Sequence, residues 1–346
     1  MTETGQSIGI IGAGAWGTAL AQALGGDGTR VIIWARRAAL AAEINTAHTN
    51  HAYLPGVTLL PGVRATCDLA DLAGVPLLLA VTPAQELAGV LRRLPPGARD
   101  LVLCAKGIEA GTGRLMAEVA GAAAPGAALA VLSGPTFAHE VAAGLPTAVT
   151  LACAGGEPQW QRIALRLSRP ALRPYYSDDV IGAQIGGAVK NVLAIACGVI
   201  DGLGLGQNAR AALIARGYAE MLRFGLARGA RAETLAGLCG LGDLVLTCSS
   251  PASRNFALGR ALGTGQSAAA ALAGKSSVAE GAHTAPVLAD VAQRSGIDLP
   301  IVGAVARLLR GEAPARQVVA DLLARPLTSE GVLTSAGALP AGRPGA

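Results

Sequence analysis

Short aliphatic runs alternate with helix-period stretches through the first half of the chain. The runs at 8–11, 30–34, 76–81, 101–104, 128–132 and 147–152 read as strands, with a further one around Leu172 to Tyr176. Between them, 15–25, 38–47, 84–93, 112–123 and 136–143 read as helices. Leu77 to Val81 is almost entirely aliphatic, as expected of a strand buried on both faces. This rhythm predicts an α/β fold built on a doubly wound parallel sheet. After Ser177 the texture changes. Asp178 or Asp179 can cap a long helix, and helical stretches dominate to about Leu323, separated by glycine-rich breaks at 202–206, 237–242 and 263–265. The expected division is a sheet domain over 1–182, an all-helical C-terminal domain over 183–330 and a Gly-, Pro- and Ala-rich tail over 331–346.

The first apolar run, Ile8 to Ile11, feeds Gly12, Gly14 and Gly17, and a helix-forming stretch opens at once. In such a strand–turn–helix the glycines let the backbone turn, approach a pyrophosphate and pack the helix on the strand. The helix N-terminus offers free N–H groups to the anion. With 47 glycines, spacing alone is weak evidence; Gly204-x-Gly206 and Gly263-x-Gly265 also match but follow no strand-like run. The second strand ends at Ala35, Arg36 and Arg37, where an acidic residue would hold the ribose 2′-hydroxyl of NAD. Two arginines there favour a 2′-phosphate, so NADPH is the expected cofactor, with NADH also accepted.

Composition is that of a globular protein, 51% hydrophobic and 15% charged. The net charge of +5 is dispersed, which argues against nucleic acid and suits a site for phosphorylated anions. The longest uncharged stretch, Val119 to Ala138, is broken by Pro125-Gly126 and Gly134-Pro135, so no membrane span is expected. Residues 1–7 are polar and do not read as a leader. Six scattered cysteines read as buried thiols in a reducing cytoplasm. The four histidines show no ligand spacing, and no catalytic metal is expected.

Of 28 basic residues only three are lysines: Lys106, Lys190 and Lys275. A retained lysine is a candidate for work that needs an amine able to change protonation state. Lys106 follows the run Leu101 to Cys104, at the carboxyl end of a strand, where doubly wound folds bind ligands. Lys190 interrupts an apolar helix beside Gly186, Gly187 and Ala188; burial there would lower its pKa toward the range of a general acid/base. The bland alternative is a snorkelling side chain. Lys275, in Gly274-Lys275-Ser276-Ser277, reads as part of a solvated loop. Asp243, alone among glycines and aliphatics, needs a buried partner, and a lysine is the obvious one. Gly134-Pro135 makes a rigid turn, and Thr136 can cap the next helix while facing a ligand. Ser253-Arg254-Asn255 reads either as a phosphate grip or as a helix cap beside a surface arginine. Glu280 reads as a helix-start residue or a ligand contact.

Six ordered motifs, G-A-G-A-W-G (12–17), A-K-G (105–107), S-G-P-T-F-A (133–138), G-G-A-V-K-N (186–191), G-L-G-D-L-V-L-T-C (240–248) and S-R-N (253–255), make residues 8–325 resemble the bacterial NAD(P)-dependent glycerol-3-phosphate dehydrogenases. The resemblance implies a Rossmann domain followed by a helical domain, with the site in the cleft. It implies reduction of dihydroxyacetone phosphate to sn-glycerol 3-phosphate, a step toward glycerophospholipids. Lys190 would be the proton donor and acceptor, with Lys106 and Asp243 beside it. Lys106, Gly134, Thr136, Lys190, Asn191, Asp243, Ser253, Arg254 and Asn255 would face substrate. Gly12, Gly14, Ala15, Trp16, Gly17, Arg36, Arg37, Lys106, Ala138, Arg254, Val278 and Glu280 would face the cofactor. The chain departs from the usual pattern at Ala279 and over the segment Lys275-Ser276-Ser277. A homodimer is compatible with this reading. The rivals are a related β-hydroxyacid dehydrogenase and a non-catalytic dinucleotide sensor.

Overall fold

A computed structural model describes residues 7–26, 28–97, 99–273 and 279–326. The strands are β1 (Ile8–Ile11), β2 (Val31–Trp34), β3 (Val63–Thr66), β4 (Leu77–Ala80), β5 (Asp100–Leu103), β6 (Ala128–Ser133), β7 (Thr147–Cys153) and β8 (Leu172–Ser177). They form one sheet in the order β3-β2-β1-β4-β5-β6-β7-β8. The chain order reverses between β1 and β4, which pair in parallel from Ile8↔Leu77 to Ile11↔Ala80. That is a topological switch point, and the carboxyl ends of β1, β2, β4, β5 and β6 lie on its open edge. The sheet is the expected doubly wound parallel one, with one antiparallel junction, where β7 runs opposite to β6. About a dozen residues join them, and they hold one short helix, Ala138–Ala142.

The first-half helices are α1 (Ala15–Leu24), α2 (Ala38–Ala47), α3 (Leu87–Leu91), α4 (Met116–Ala123), α5 (Ala138–Ala142) and α6 (Gly156–Leu167). Three are shorter than their sequence patterns suggest. The stretch from Ala84 begins as a 3₁₀ turn after Pro83, α4 starts only at Met116 beyond the turn glycines Gly111 and Gly113, and α5 starts at Ala138.

The helices that follow are α7 (Val180–Gly202), α8 (Gly206–Ala227), α9 (Ala232–Ala236), α10 (Asp243–Ser249), α11 (Arg254–Gly263), α12 (Ala268–Leu272), α13 (Glu280–Arg294), α14 (Pro300–Arg310) and α15 (Ala315–Leu323). Asp179 caps α7, its Oδ1 accepting the Gly182 N–H at 2.7 Å. Helix α7 is long and apolar enough to cross a membrane, but 89% of its apolar window is buried inside the fold, where α8, α10, α11 and α13 pack around it. Its contact with α11 is backbone on backbone. A Cβ on Gly198 would lie 2.0 Å from the Phe256 carbonyl oxygen, and one on Gly259 would lie 1.9 Å from that of Ile195.

The predicted glycine break at 237–242 is instead a π-helical turn, Leu238–Gly242, leading straight into α10. It folds against α7 at Gly186, where a Cβ would lie 2.4 Å from the Cys239 carbonyl oxygen. Gly186 is one turn before Lys190 on the same helix face, so this close approach brings Asp243 beneath the lysine.

Candidate active site

Lys106 leaves the carboxyl end of β5, and Lys190 projects from the middle of α7. Both reach Asp243, the first residue of α10, which is fully buried. Lys190 Nζ donates to Asp243 Oδ1 at 2.9 Å and to Thr247 Oγ1 at 2.8 Å. Lys106 Nζ donates to Asp243 Oδ2 at 2.7 Å and to the Gly134 carbonyl at 3.2 Å. Thr247, one helical turn past Asp243, donates in turn to Oδ1 at 3.1 Å. Burial drives the Lys190 pKa down to about 8; Asp243 opposes that fall and Lys106 adds to it. Burial pushes the Asp243 carboxyl up, but Lys106 and then Lys190 more than reverse this and hold it below the ordinary value.

An amide chain runs outward from this centre. Asn191 donates to the Lys106 carbonyl at 3.4 Å, Asn255 donates to Asn191 Oδ1 at 2.9 Å, and Gly281 N–H donates to Asn255 Oδ1 at 3.0 Å. Asn255 thus keeps one amide proton for a ligand. Ser253 caps α11, accepting from Phe256 N at 3.3 Å, and Arg254 is exposed at the same helix start. The structure therefore shows the cap beside a surface arginine. Glu280 opens α13 within the field of Arg254, Lys106 and Lys190. Burial raises its pKa, and those cations and the Ala84 backbone oppose the rise.

The glycine turn lies at the switch point and has the shape a dinucleotide needs. Gly12 sits at φ +120°, and a Cβ there would lie 2.9 Å from the Val81 carbonyl oxygen. A Cβ on Gly14 would meet nothing within 4 Å, so its backbone is open to approach. A Cβ on Gly17 would lie 1.9 Å from the Gly12 carbonyl oxygen, so only glycine lets α1 pack this closely on β1. Among the described residues no side chain caps α1, which leaves the donors at Ala15 and Trp16 open to an anion. Trp16 and Ala138 pack in one cluster beside α1. Arg36 and Arg37 are exposed beyond β2, with the Arg37 guanidinium 5.4 Å from the centre of the Tyr53 ring. Free N–H donors at the start of α1 and an open Gly14 together fit a nicotinamide dinucleotide.

Thr136 does not cap α5; Phe137 occupies that position, and the Thr136 hydroxyl donates to the Gly134 carbonyl at 3.4 Å. Val278 and Lys275 lie outside the described residues, as does the 331–346 tail. Thr247 carried no expected role, although its i+4 spacing from Asp243 was a readable signal. Ser133 is a further polar residue at this site. Its Oγ is buried without a hydrogen-bond partner at the end of β6, and a Cβ on Gly187 would lie 2.9 Å from it.

Residues 7–158 match the family model for the N-terminus of NAD-dependent glycerol-3-phosphate dehydrogenase, and residues 179–320 match that for its C-terminus. The chain belongs to this family of oxidoreductases. It is similar to the glycerol-3-phosphate dehydrogenase [NAD(P)+] of Novosphingobium aromaticivorans, 67% identical over 326 residues, covering 94% of this chain and 98% of the relative. Its fold is similar to the crystal structure of glycerol-3-phosphate dehydrogenase from Coxiella burnetii, with a TM-score of 0.88 and 39% identity over 93% of this chain and all of that one. D-Mandelate dehydrogenase shares the fold alone, with a TM-score of 0.62 and 15% identity over 90% of this chain and 99% of that one. The fold therefore does not separate the family from hydroxyacid enzymes. The side chains in the cleft must do so.

Proposed function

We propose that this enzyme interconverts dihydroxyacetone phosphate and sn-glycerol 3-phosphate with NADPH as its preferred reductant. The observation that carries the reading is the convergence of Lys106 and Lys190 on one buried carboxylate at the open edge of the sheet. When bound, the reduced nicotinamide supplies the hydride that the ketone carbon accepts. Lys190 holds a proton with a pKa of about 8, close enough to neutrality to give it to the ketone oxygen and take it back in the reverse direction. Asp243 and Thr247 fix the direction of the Lys190 amine. Lys106 adds positive charge where negative charge develops on oxygen.

The phosphate is assigned to the start of α11. Arg254 provides a charge-assisted contact, Asn255 its remaining amide proton, and the helix its N-terminal dipole. Anchoring the phosphate there lets its binding energy orient a small carbonyl. The NADPH preference rests on Arg36 and Arg37. All six cysteines are free thiols, which fits a reducing compartment such as the cytoplasm.

The deciding measurement is oxidation of NADPH and of NADH with dihydroxyacetone phosphate, and with unphosphorylated dihydroxyacetone in parallel. Turnover is expected only with the phosphate ester, and at lower KM for NADPH. Equal turnover of dihydroxyacetone would remove the phosphate assignment. No turnover of either, with activity on a β-hydroxyacid, would move the enzyme to the rival class.

A further inference from the structure

The glycine turn is braced from outside by one side chain. Asn50, in the segment after α2, is 1% exposed. Its Nδ2 donates to the Ala13 carbonyl at 3.0 Å and to Thr18 Oγ1 at 2.8 Å, and its Oδ1 accepts from Tyr53 N at 3.2 Å. Both amide protons are thereby spent inside the protein. Ala13 precedes α1, so its carbonyl has no partner within the helix, and Asn50 supplies one.

The peptide geometry gives this contact a consequence. In a trans peptide the C=O of one residue and the N–H of the next point in opposite directions. Tying the Ala13 carbonyl to Asn50 therefore turns the Gly14 N–H away from the Asn50 side. Thr18 lies in the same helical turn as Ala15 and Trp16, so the second bond fixes the helix start relative to that peptide.

We propose that Asn50 is a positioning residue for the dinucleotide: it sets the Ala13–Gly14 peptide so that the N–H donors at the start of α1 face the pyrophosphate. This rests on the dinucleotide reading of the turn. Because the pyrophosphate is common to both cofactors, Asn50 acts on NADPH and NADH alike. It touches no reacting atom, so it acts on binding and not on turnover.

Asn50→Asp is the principal test. It keeps the side-chain shape and the acceptor for Tyr53 N but removes both donors. Asn50→Ala is the second variant. NADPH and NADH are titrated directly by nicotinamide fluorescence, and steady-state rates are measured in parallel. Both dissociation constants should rise by about ten-fold or more, since the cofactor would then have to order the Ala13–Gly14 peptide that Asn50 no longer holds in place. Their ratio, the KM for dihydroxyacetone phosphate and the kcat at saturating cofactor should stay within about two-fold. The increase in Tm on adding NADPH should shrink in both variants, a readout that survives a lower starting Tm. Variants that bind both cofactors as wild type does, with a full increase in Tm, would overturn the proposal and leave Asn50 a fold brace only. A wild-type protein that binds neither cofactor would instead overturn the dinucleotide reading itself.

Discussion

Lys106 and Lys190 hold opposite oxygens of a single carboxylate, at 2.7 and 2.9 Å. One buried Asp243 cannot neutralise two ammonium groups, so the centre keeps surplus positive charge. Negative charge building on a ketone oxygen would complete the balance. The two lysines are not interchangeable, because the Lys190 side chain is the more buried, 9% exposed against 16% for Lys106. Lys190→Arg keeps charge but cannot release a proton near neutral pH. It should lower turnover by ~10²-fold or more while NADPH still binds, and Lys106→Arg should retain more activity. Steady-state kinetics with a direct NADPH titration decides this. A Lys190→Arg enzyme with near wild-type turnover would transfer the acid role to Lys106.

A Lys190 pKa near 8 sets opposite pH profiles for the two directions. Ketone reduction needs the protonated amine, so its kcat/KM should fall as pH rises through about 8. Alcohol oxidation needs the neutral amine and should rise over the same interval. Asp243 holds the Lys190 pKa up, so Asp243→Asn should move both limbs to lower pH. The same change breaks a buried ion cluster and should cost about 3–5 kcal/mol of stability, readable as a lower Tm.

Arg36 and Arg37 stand beyond β2 where a carboxylate would select NAD. Arg36→Ala with Arg37→Ala should raise the KM for NADPH far more than that for NADH, leaving kcat at saturation largely intact. Each lost charge-assisted bond to a phosphate is worth about 1.5–3 kcal/mol. A matched rise for both cofactors would mean that the arginines do not read the 2′-phosphate.

Glu220 on α8 offers a second pH effect, on stability. Its carboxylate accepts Ile301 N–H at 2.7 Å and Val302 N–H at 3.1 Å, capping α14 from a neighbouring helix. Burial pushes its pKa up to about 7, outweighing those two donors. The folded chain therefore binds a proton that the unfolded chain has lost between about pH 4.5 and 7, so stability falls as pH rises across that window. Glu220→Gln should flatten the dependence of Tm on pH there. A Tm profile unchanged from wild type would show that Glu220 does not govern it.

Much of this architecture was legible because aliphatic runs and caps are local signals. The strands at the switch point, the Asp179 cap and the change of texture after Ser177 all fall within a few residues of their sequence signatures. The edge strand β3, with the sequence V-R-A-T, buries only Val63 and so carries too little apolar signal to read. The direction of β7 could not be read either, since its residues suit both directions. At the site, Lys190 stood out as a charge in an apolar helix, and Asp243 as a carboxylate in need of a partner. That Lys106 shares the same carboxylate depends on the packing of α7 over the end of β5. No spacing along the chain records it. The Thr136 cap failed by a single residue, a usual scale of error where a helix begins after Gly-Pro.

The contact between α7 and α11 limits how this site can change over time. Lys190 and Asn191 ride on one helix and Asn255 on the other. Where they cross, Gly198 and Gly259 leave carbonyl oxygens of the opposite helix too near for any side chain. In an ordinary core, a residue that grows can be accommodated by a neighbour that shrinks, and the pair drifts together through sequence space. Here neither side has a side chain left to give up. Volume gained on either helix can only push the helices apart, and with them Lys190 and Asn255. This crossing should therefore resist substitution even by alanine, whereas the side-chain layers around it can be repacked freely.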